Sequence, residues 1–278
     1  MSTETGKKIA EEEKLRAKGE GAPHVTAKLR LFGASEDDVK VTFYRDHAGW
    51  CPYCQKVWMM LEEKKIPYRI ERINMRSYGD KPAWFLKKVP SGLLPVLELD
   101  GKMITESLVI MQILEQTFPE IPMIPEEHFD RANTLLRLER QLFSDWCGLV
   151  FRPSGPGPFG GGARKQFEET FDKVNEALGE LPGPWFLGGD TPSIVDLQYV
   201  SHVERMNASC LYWKGLQLRS TERWANVERW FAAFEERPCY MATKSDYYTH
   251  VMDIPPQYGP GYGDSSEAAK QAQLNIDG

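Results

Sequence analysis

The sequence predicts an α/β domain followed by an all-helical domain, and two observations support this division. From Val39 to about Thr117, short runs of β-forming residues alternate with short helical runs. From about residue 128 to about residue 250, apolar residues repeat at the three- and four-residue spacing of amphipathic helices. A chain of 278 residues is long enough for two domains of ordinary size.

The α/β region begins with a strand, a helix and a second strand. Val39–Tyr44 and Tyr68–Asn74 are rich in β-branched and aromatic residues, which favour strands. Gln55–Lys65 lies between them and places its larger apolar residues on one helical face. A connection of this length suits a strand–helix–strand unit with parallel strands.

A hairpin and two more helices complete the α/β region. Asp100-Gly101 is a strong two-residue turn signal between strands Pro95–Leu99 and Lys102–Thr105. A short helix is predicted at Pro82–Lys88 and a longer one at Glu106–Thr117. The order is therefore β-α-β-α-β-β-α, which is the layout of a thioredoxin-like domain.

The rest of the chain is predicted to be helical, with interruptions. Three prolines within Phe118–Pro125 exclude a helix interior and predict a linker, and Pro153–Gly162 is a glycine- and proline-rich loop. Ser193 and Asp196 have the spacing of a capping box at a helix start. The predicted segments are a charged N-terminal extension (1–37), a thioredoxin-like domain (38–117), a linker (118–127), an all-helical domain (128–250) and a flexible, proline- and glycine-rich C-terminal tail (251–278).

Composition narrows the class of function. The net charge of −6 argues against a nucleic-acid surface, which needs a basic patch. No apolar run approaches the roughly 18 residues of a membrane span, and the charged first thirty residues lack a signal-peptide stretch. Five cysteines in a chain of this size do not make a disulfide framework. We therefore expect a soluble protein in a reducing, intracellular compartment.

The chemistry centres on the run Cys51-Pro52-Tyr53-Cys54, which lies between a predicted strand and a predicted helix. Pro52 suits the first helical position, where a missing N–H costs nothing. Cys51 would then face the free N–H groups and the positive end of the helix dipole, which favour a thiolate. Cys54 follows one turn later, within reach of an intramolecular disulfide, and is a candidate resolving cysteine.

Other interpretations of this motif stay open. The two cysteines could form half of a zinc site, but the sequence has no second pair with metal-ligand spacing, so we predict no metal. They could also be buried structural residues, and an iron–sulfur cluster shared between two chains is a rarer alternative. Three further cysteines sit in helical patterns and are expected to be packing residues: Cys147, Cys210 and Cys239.

Two further sites fit a bound peptide such as glutathione. Leu94-Pro95 precedes a strand, and a proline at the start of a strand is by itself a common feature without functional meaning. After a redox motif it predicts a cis-proline that exposes the Leu94 backbone to a peptide, which would bind like an added strand. Glu106 and Ser107 could simply cap a helix, but they also suit the γ-glutamyl end of glutathione. Trp50 and Tyr53 flank Cys51 and could line a substrate pocket.

These motifs resemble the glutathione transferase superfamily in its cysteine-containing branch, which comprises Omega, Lambda, dehydroascorbate reductase and Iota-like classes. The resemblance covers roughly Val41 to Tyr240 and is most specific in three stretches, Lys81–Lys88, Gly92–Glu98 and Ile104–Ser107. It implies the glutathione transferase architecture, with glutathione as co-substrate.

The resemblance also implies a role for individual residues. Cys51 matches the catalytic cysteine, and Lys81 the contact to the glycyl end of glutathione. Leu94, which precedes the cis-proline Pro95, supplies backbone bonds. Glu106 with Ser107 binds the γ-glutamyl end.

The chain also departs from the Omega pattern. Omega-type enzymes have a single cysteine in the motif, whereas Cys54 here completes a glutaredoxin-like pair, and Arg76–Asp80 is inserted before Lys81. The phrases Tyr44–Trp50 and Glu204–Ser209 look most like the Iota class of photosynthetic organisms, which adds the plastid stroma to the cytosol as an expected location.

Three functions follow from these observations. The first is a glutathione-dependent thiol transferase or reductase, acting on mixed disulfides or on small oxidised compounds such as dehydroascorbate. The second is a protein that binds a hydrophobic ligand or a porphyrin beside Tyr199, Arg205 and Trp213. The third is a structural subunit of a larger assembly. The sequence leaves the oligomeric state open between a homodimer and a partner assembly.

Overall fold

The computed structural model describes residues 3–75, 79–153 and 162–277. These residues form two compact units. The first comprises residues up to Pro122 together with Glu235–Lys244, and the second comprises Met123–Phe234 together with the residues from Ser245 onward. The predicted loop at 153–162 and the predicted insertion at 76–80 lie largely outside the described residues.

The first unit is a five-stranded sheet with helices. Its elements along the chain are α1 (Glu4–Ala17), β1 (Leu29–Arg30), β2 (Val41–Asp46), α2 (Pro52–Glu63), β3 (Tyr68–Ile73), α3 (Ala83–Lys88), β4 (Val96–Leu99), β5 (Lys102–Thr105) and α4 (Ser107–Thr117). The strand order is β1-β3-β2-β4-β5. Strands β2 and β3 are parallel, whereas the other pairs are antiparallel. The predicted thioredoxin-like order from β2 to α4 is confirmed.

The core of the first unit explains this arrangement. Side chains from β2, β3 and β4 pack against α3 in one buried cluster: Tyr44, Ile73, Phe85, Val89 and Val96. Helix α2 is buried on almost every side, including polar positions such as Gln55. Its surroundings therefore hold its first turn in a fixed place.

The N-terminal extension is a correction to the sequence prediction. Helix α1 buries no residue, as expected for a charged segment. The part that follows it joins the sheet, because Leu29 and Arg30 pair with β3. Arg30 also forms a buried ion pair with Glu62 at 2.8 Å. Long-range pairing of a two-residue strand leaves no local pattern in the sequence, so residues 1–37 looked like a tail.

A distant segment of the chain also belongs to the first unit. After α8 (Ala225–Glu235), the short helix α9 (Pro238–Thr243) contacts α2. Arg237 donates to both oxygens of Glu63, and the Gln55 side chain donates to the carbonyl of Thr243 at 3.3 Å. The helix that follows the cysteine motif is therefore buttressed by residues nearly two hundred positions later.

The second unit is all-helical, as predicted. Its helices are α5 (Phe129–Val150), α6 (Gly162–Ala177), α7 (Ile194–Lys214), most of α8, α10 (Tyr247–Tyr258) and α11 (Glu267–Asp277). Helix α7 is its centre and contacts α5, α10 and α11. The predicted capping box is present, because Ser193 and Asp196 each accept a backbone N–H from the other.

The predicted flexible tail at 251–278 is wrong. Helix α10 continues to Tyr258 with Pro255 and Pro256 in its last turn, and Val251 and Ile254 bury its apolar face. Helix α11 then buries Ala269 and Ala272. Proline and glycine content suggested disorder, but tertiary packing outweighs a local propensity that costs a few kcal/mol.

Within the described residues, no helix is both long and apolar enough to cross a membrane.

Candidate active site

The predicted site residues meet at one edge of the sheet. Tyr44 pairs with Val96, which pairs with Thr105, and Asp46 pairs with Ile73. The carboxyl ends of β2, β3 and β5 and the amino end of β4 therefore share one edge. The cysteine motif follows β2, the Leu94–Pro95 peptide precedes β4, and α4 follows β5.

Cys51 occupies the position before the first turn of α2, and its side chain makes no capping bond. The Cys54 thiol donates to Cys51 Sγ, and the backbone N–H groups of Tyr53 and Cys54 point at the same sulfur. The hydrogen bond from Cys54, helped by the nearby N–H groups, favours the thiolate and lowers the pKa of Cys51, although burial and the charge of Asp46 act in the opposite direction. Cys51 is only 7% exposed. The motif therefore holds a sulfur with a lowered pKa at an uncapped helix start.

The pKa of Cys54 is shifted in the opposite direction to that of Cys51. Cys54 is 1% exposed, and burial raises its pKa well above the ordinary value. Its hydrogen bond to Cys51 and the charges of Cys51 and Asp46 act in the same direction. Cys54 is thus a proton donor to Cys51 in the reduced pair.

Asp46 is a site residue that the sequence analysis missed. It is fully buried at the end of β2, and the Trp50 backbone N–H donates to its Oδ2 at 2.7 Å. A carboxylate oxygen and the two sulfurs of the motif lie within 4.8 Å of one another. The available signal was a carboxylate at the end of a predicted strand five residues before Cys51, since such residues are rarely buried without a partner.

Lys81 follows β3 and lies half-buried near the same edge. Its Nζ donates to the carbonyl of Asn74 at 2.7 Å. Burial lowers the pKa of Lys81, whereas the negative groups of Cys54, Cys51 and Asp46 oppose that change. The ammonium group therefore adds positive charge to the surroundings of the motif.

The two predicted peptide-binding elements have unusual backbones. The Leu94–Pro95 peptide is cis, as predicted. Glu106 adopts φ 68° directly before α4, a left-handed conformation that is uncommon for residues other than glycine. Its side chain is exposed and that of Ser107 is half-buried at the first position of α4. A left-handed backbone such as that of Glu106 is found at ligand-binding positions, where the surrounding structure imposes it.

The residues predicted to line a substrate pocket are divided between the units. In the first unit, Trp50 is 2% exposed and Tyr53 is 37% exposed. Tyr53 is therefore the accessible aromatic residue of the motif, whereas Trp50 is a packing residue whose backbone N–H holds Asp46. The Nζ of Lys56 lies 5.2 Å from the centre of the Tyr53 ring.

The three residues predicted to bind a hydrophobic ligand lie in the second unit and are buried. The Tyr199 hydroxyl donates to the carbonyl of Leu135 at 2.8 Å, and Arg205 donates to the carbonyl of Ser201. Trp213 is 8% exposed. These internal contacts are those of core residues and give no support to a ligand-binding role.

The remaining cysteines differ from Cys51. Cys210 and Cys239 are buried, and burial raises the pKa of each thiol. Burial also raises the pKa of Cys147 to about 11. They are therefore thiols at neutral pH, which matches their predicted packing role.

A thioredoxin-like sheet with a buried cysteine pair at the start of α2 is joined in the same chain to a helical unit, which is the two-domain architecture of the glutathione transferase class. Two family models match this chain, one for each domain. The model of the glutathione S-transferase N-terminal domain matches residues 50–117, and that of the C-terminal domain matches residues 126–233.

The chain belongs to the glutathione S-transferase family. It is 30% identical over 208 residues to glutathione S-transferase omega-1 of Mus musculus, covering 72% of this chain and 80% of the relative. It is 28% identical over 200 residues to glutathione S-transferase DHAR2 of Arabidopsis thaliana, covering 72% and 86%.

A solved structure shows the same architecture. Glutathione transferase Omega 3C from Trametes versicolor superposes with a TM-score of 0.62 at 27% identity, covering 74% of this chain and 90% of that chain. The protein is thus a glutathione transferase-family enzyme, with glutathione as co-substrate. Its Omega relatives belong to the branch predicted from the sequence, while the Iota-like assignment stays a prediction.

Proposed function

We propose that the protein is a glutathione-dependent thiol transferase in which the Cys51 thiolate is the nucleophile. One observation supports this proposal: the Cys54 thiol donates to Cys51 Sγ at the uncapped start of α2, which lowers the pKa of Cys51. A thiolate, and not a thiol, attacks disulfides.

The reaction takes place in two exchanges. The Cys51 thiolate attacks the glutathionyl sulfur of a mixed disulfide, which forms a Cys51–glutathione disulfide and releases the substrate as a thiolate that takes up a proton. A glutathione thiolate then attacks the bound glutathionyl sulfur, which releases glutathione disulfide and restores Cys51. One mixed disulfide and one glutathione thus become one free thiol and one glutathione disulfide.

The glutathione site is proposed at the shared sheet edge. The Leu94 backbone next to the cis peptide with Pro95 would bind the cysteinyl part of glutathione as an added strand. The carboxylate of Glu106 would bind the γ-glutamyl ammonium, and Ser107 with the first N–H groups of α4 the carboxylate. Lys81 would contact the glycyl end.

The substrates that we propose are glutathione mixed disulfides of small molecules or proteins, and small oxidised compounds such as dehydroascorbate. A cysteine can carry glutathione as a disulfide, which a serine or tyrosine hydroxyl cannot do. We therefore expect better activity on mixed disulfides than on chloro-nitrobenzene conjugation. The compartment, cytosol or plastid stroma, and the choice between homodimer and partner assembly stay predictions.

The test is Cys51→Ser assayed for reduction of a mixed disulfide between glutathione and a small thiol. We expect loss of turnover to background, with glutathione affinity by calorimetry largely kept. Cys147→Ser is the matched control, because it removes a cysteine from the other unit and should leave the rate unchanged. Near wild-type turnover in Cys51→Ser would exclude Cys51 as the nucleophile.

A further inference from the structure

A buried carboxylate lies beside the two sulfurs of the motif, and one of its oxygens accepts no hydrogen bond from the described residues. Asp46 is fully buried, and its Oδ1 has no hydrogen-bond partner among the residues that the structure describes. Leaving a buried oxygen unpaired costs about 1–3 kcal/mol, and more for a charged group. Its charge also opposes the lowering of the Cys51 pKa. The Trp50 N–H accounts for Oδ2, but no contact in the described part of the chain accounts for Oδ1.

The three donor groups have the chemistry of a metal site. Two thiolate sulfurs and one carboxylate oxygen are ligands that Zn²⁺ accepts in tetrahedral sites. In the present structure the three donor atoms lie within 4.8 Å of one another. Zn–S bonds of about 2.3 Å and Zn–O bonds of about 2.0 Å require donor atoms roughly 3.5–3.8 Å apart. The three separations would therefore have to shorten by no more than about 1 Å.

Local contacts fit this movement. The Trp50 N–H holds Asp46 Oδ2 at 2.7 Å, so the carboxylate is oriented in the way that outer-shell bonds orient metal ligands. Because Oδ1 has no partner in the described part of the chain, its turn towards a cation breaks no hydrogen bond. The Cys54-to-Cys51 hydrogen bond already brings the two sulfurs into contact.

The charges of the site are also compatible with a cation. Two thiolates and a carboxylate would carry three negative charges, of which a divalent ion neutralises two. Two cationic residues, Arg45 and Lys81, interact electrostatically with the acidic groups of the site. The guanidinium carbon of the buried Arg45 lies 4.3 Å from the centre of the Trp58 ring. The positive charges of Arg45 and Lys81 offset the one negative charge that remains after the divalent ion binds. They also weaken the attraction of the site for any further cation.

We propose that Asp46, Cys51 and Cys54 form a binding site for one thiophilic divalent cation of the Zn²⁺ type in the reduced protein. Three protein ligands leave a fourth position for solvent. Binding displaces the proton that Cys54 shares with Cys51, so protons are released to the solution. If Cys51 is the nucleophile, as proposed above, the bound cation also blocks thiol transfer, because both need the same sulfur.

The first test uses Co²⁺ as a spectroscopic probe in the reduced full-length protein. We expect one equivalent to bind with thiolate-to-cobalt charge-transfer absorption and the visible bands of a four-coordinate ion. X-ray absorption on the Zn²⁺-loaded wild-type protein should show two sulfur ligands together with oxygen ligands. A cobalt spectrum without thiolate absorption, or a zinc shell without two sulfurs, would overturn the proposal.

The second test isolates the carboxylate. Asp46→Asn keeps the shape and an acceptor for the Trp50 N–H, and should weaken Zn²⁺ affinity by about 10–100-fold, at least the loss seen when outer-shell partners are removed. Cys54→Ser should abolish stoichiometric binding. Asp37→Asn, at an exposed acidic residue, and Cys147→Ser are the matched controls. Unchanged affinity in a folded Asp46→Asn would remove Asp46 from the site, and the wild-type spectra decide the question if that variant does not fold.

Experiments can refute the proposed metal site and the proposed activity independently of each other. Zn²⁺ should inhibit mixed-disulfide reduction by the wild-type protein, and the inhibition should require about 10–100-fold more Zn²⁺ in Asp46→Asn. If no mixed disulfide is reduced by metal-free protein, the thiol-transferase function is wrong, while the cobalt spectrum still reports on the metal site. Activity that persists at saturating, spectroscopically confirmed Zn²⁺ would show that the cation does not use the Cys51 sulfur.

Discussion

Helices α2 and α7 both begin in the protein interior, but their first turns are satisfied in different ways. At the start of α7, Ser193 and Asp196 form a complete capping box, and the Asp196 carboxylate also accepts from the Phe186 N–H and the Trp230 indole. At the start of α2, Cys51 makes no capping bond. Its sulfur instead accepts a hydrogen bond from the Cys54 thiol.

The comparison separates a helix start that stabilises the fold from one that we propose performs chemistry. Four protein groups bind Asp196, so its charge is fixed and unavailable to a ligand, and burial raises its pKa. At the start of α2 the electrostatic field of the helix acts on the Cys51 sulfur, whose charge changes in the proposed reaction. In the proposed function, the same helix geometry therefore serves stability in one unit and reactivity in the other.

The largest expected effect is on the capped start. Asp196→Ala leaves the Phe186 N–H and the Trp230 indole buried without their acceptor, so we expect the free energy of unfolding to fall by about 3–5 kcal/mol. Urea denaturation measures this loss. Ser193→Ala should cost only about 1 kcal/mol. Equal losses in the two variants would show that the capping box, and not the buried carboxylate, carries the stability.

The second prediction compares thiol reactivity as a function of pH. A lowered pKa gives Cys51 its thiolate at lower pH, so its alkylation rate should reach half-maximum below pH 9.0, the ordinary thiol value. Burial raises the pKa of Cys147 to about 11, so the alkylation rate of Cys147 should rise only at pH values well above 9.0. Peptide mass spectrometry after timed alkylation follows both thiols in one sample. Coincident pH profiles would contradict the proposed role of the α2 start.

A third experiment examines the start of α4, which the sequence leaves open between capping and binding. Glu106→Ala and Ser107→Ala should each weaken glutathione binding by about 1–3 kcal/mol, because each removes a polar or charge-assisted bond. Calorimetry measures the affinity, and urea denaturation provides the control for stability. A loss of stability with unchanged affinity in both variants would identify these residues as caps only.

The smallest expected effect concerns Cys54. Glutathione is abundant in cells and has its own site, so it should resolve the Cys51–glutathione disulfide faster than the enclosed Cys54 thiol. Cys54→Ser should therefore keep about half or more of the activity on small mixed disulfides. It should also lose the intramolecular disulfide that oxidant forms in the wild-type protein, as seen by mass spectrometry. Complete loss of turnover would instead make the dithiol route obligatory.

Local patterns predicted much of this protein. The Asp100-Gly101 turn, the proline at the first position of α2 and the capping box of α7 are short-range features, and each appears in the structure at the predicted place. The cysteine motif was predictable for the same reason, since its reactivity depends on the turn to which it belongs.

Features that depend on distant contacts escaped prediction. Leu29 and Arg30 form a strand only because β3 lies beside them, and Pro255 and Pro256 remain in α10 because its apolar face is buried. Tyr199 and Arg205 looked like ligand contacts, yet both are bonded inside the second unit.

The sequence by itself determined the order of elements, the position of the reactive cysteine and the resemblance that led to the family. Tertiary structure alone decided which polar groups share the interior with that cysteine. Asp46 stands five residues before Cys51 in the chain, but only the turn of backbone after β2 brings its carboxylate within 4.8 Å of both sulfurs. Periodicity reports which face of an element is apolar, whereas the position of a buried charge depends on how the elements pack.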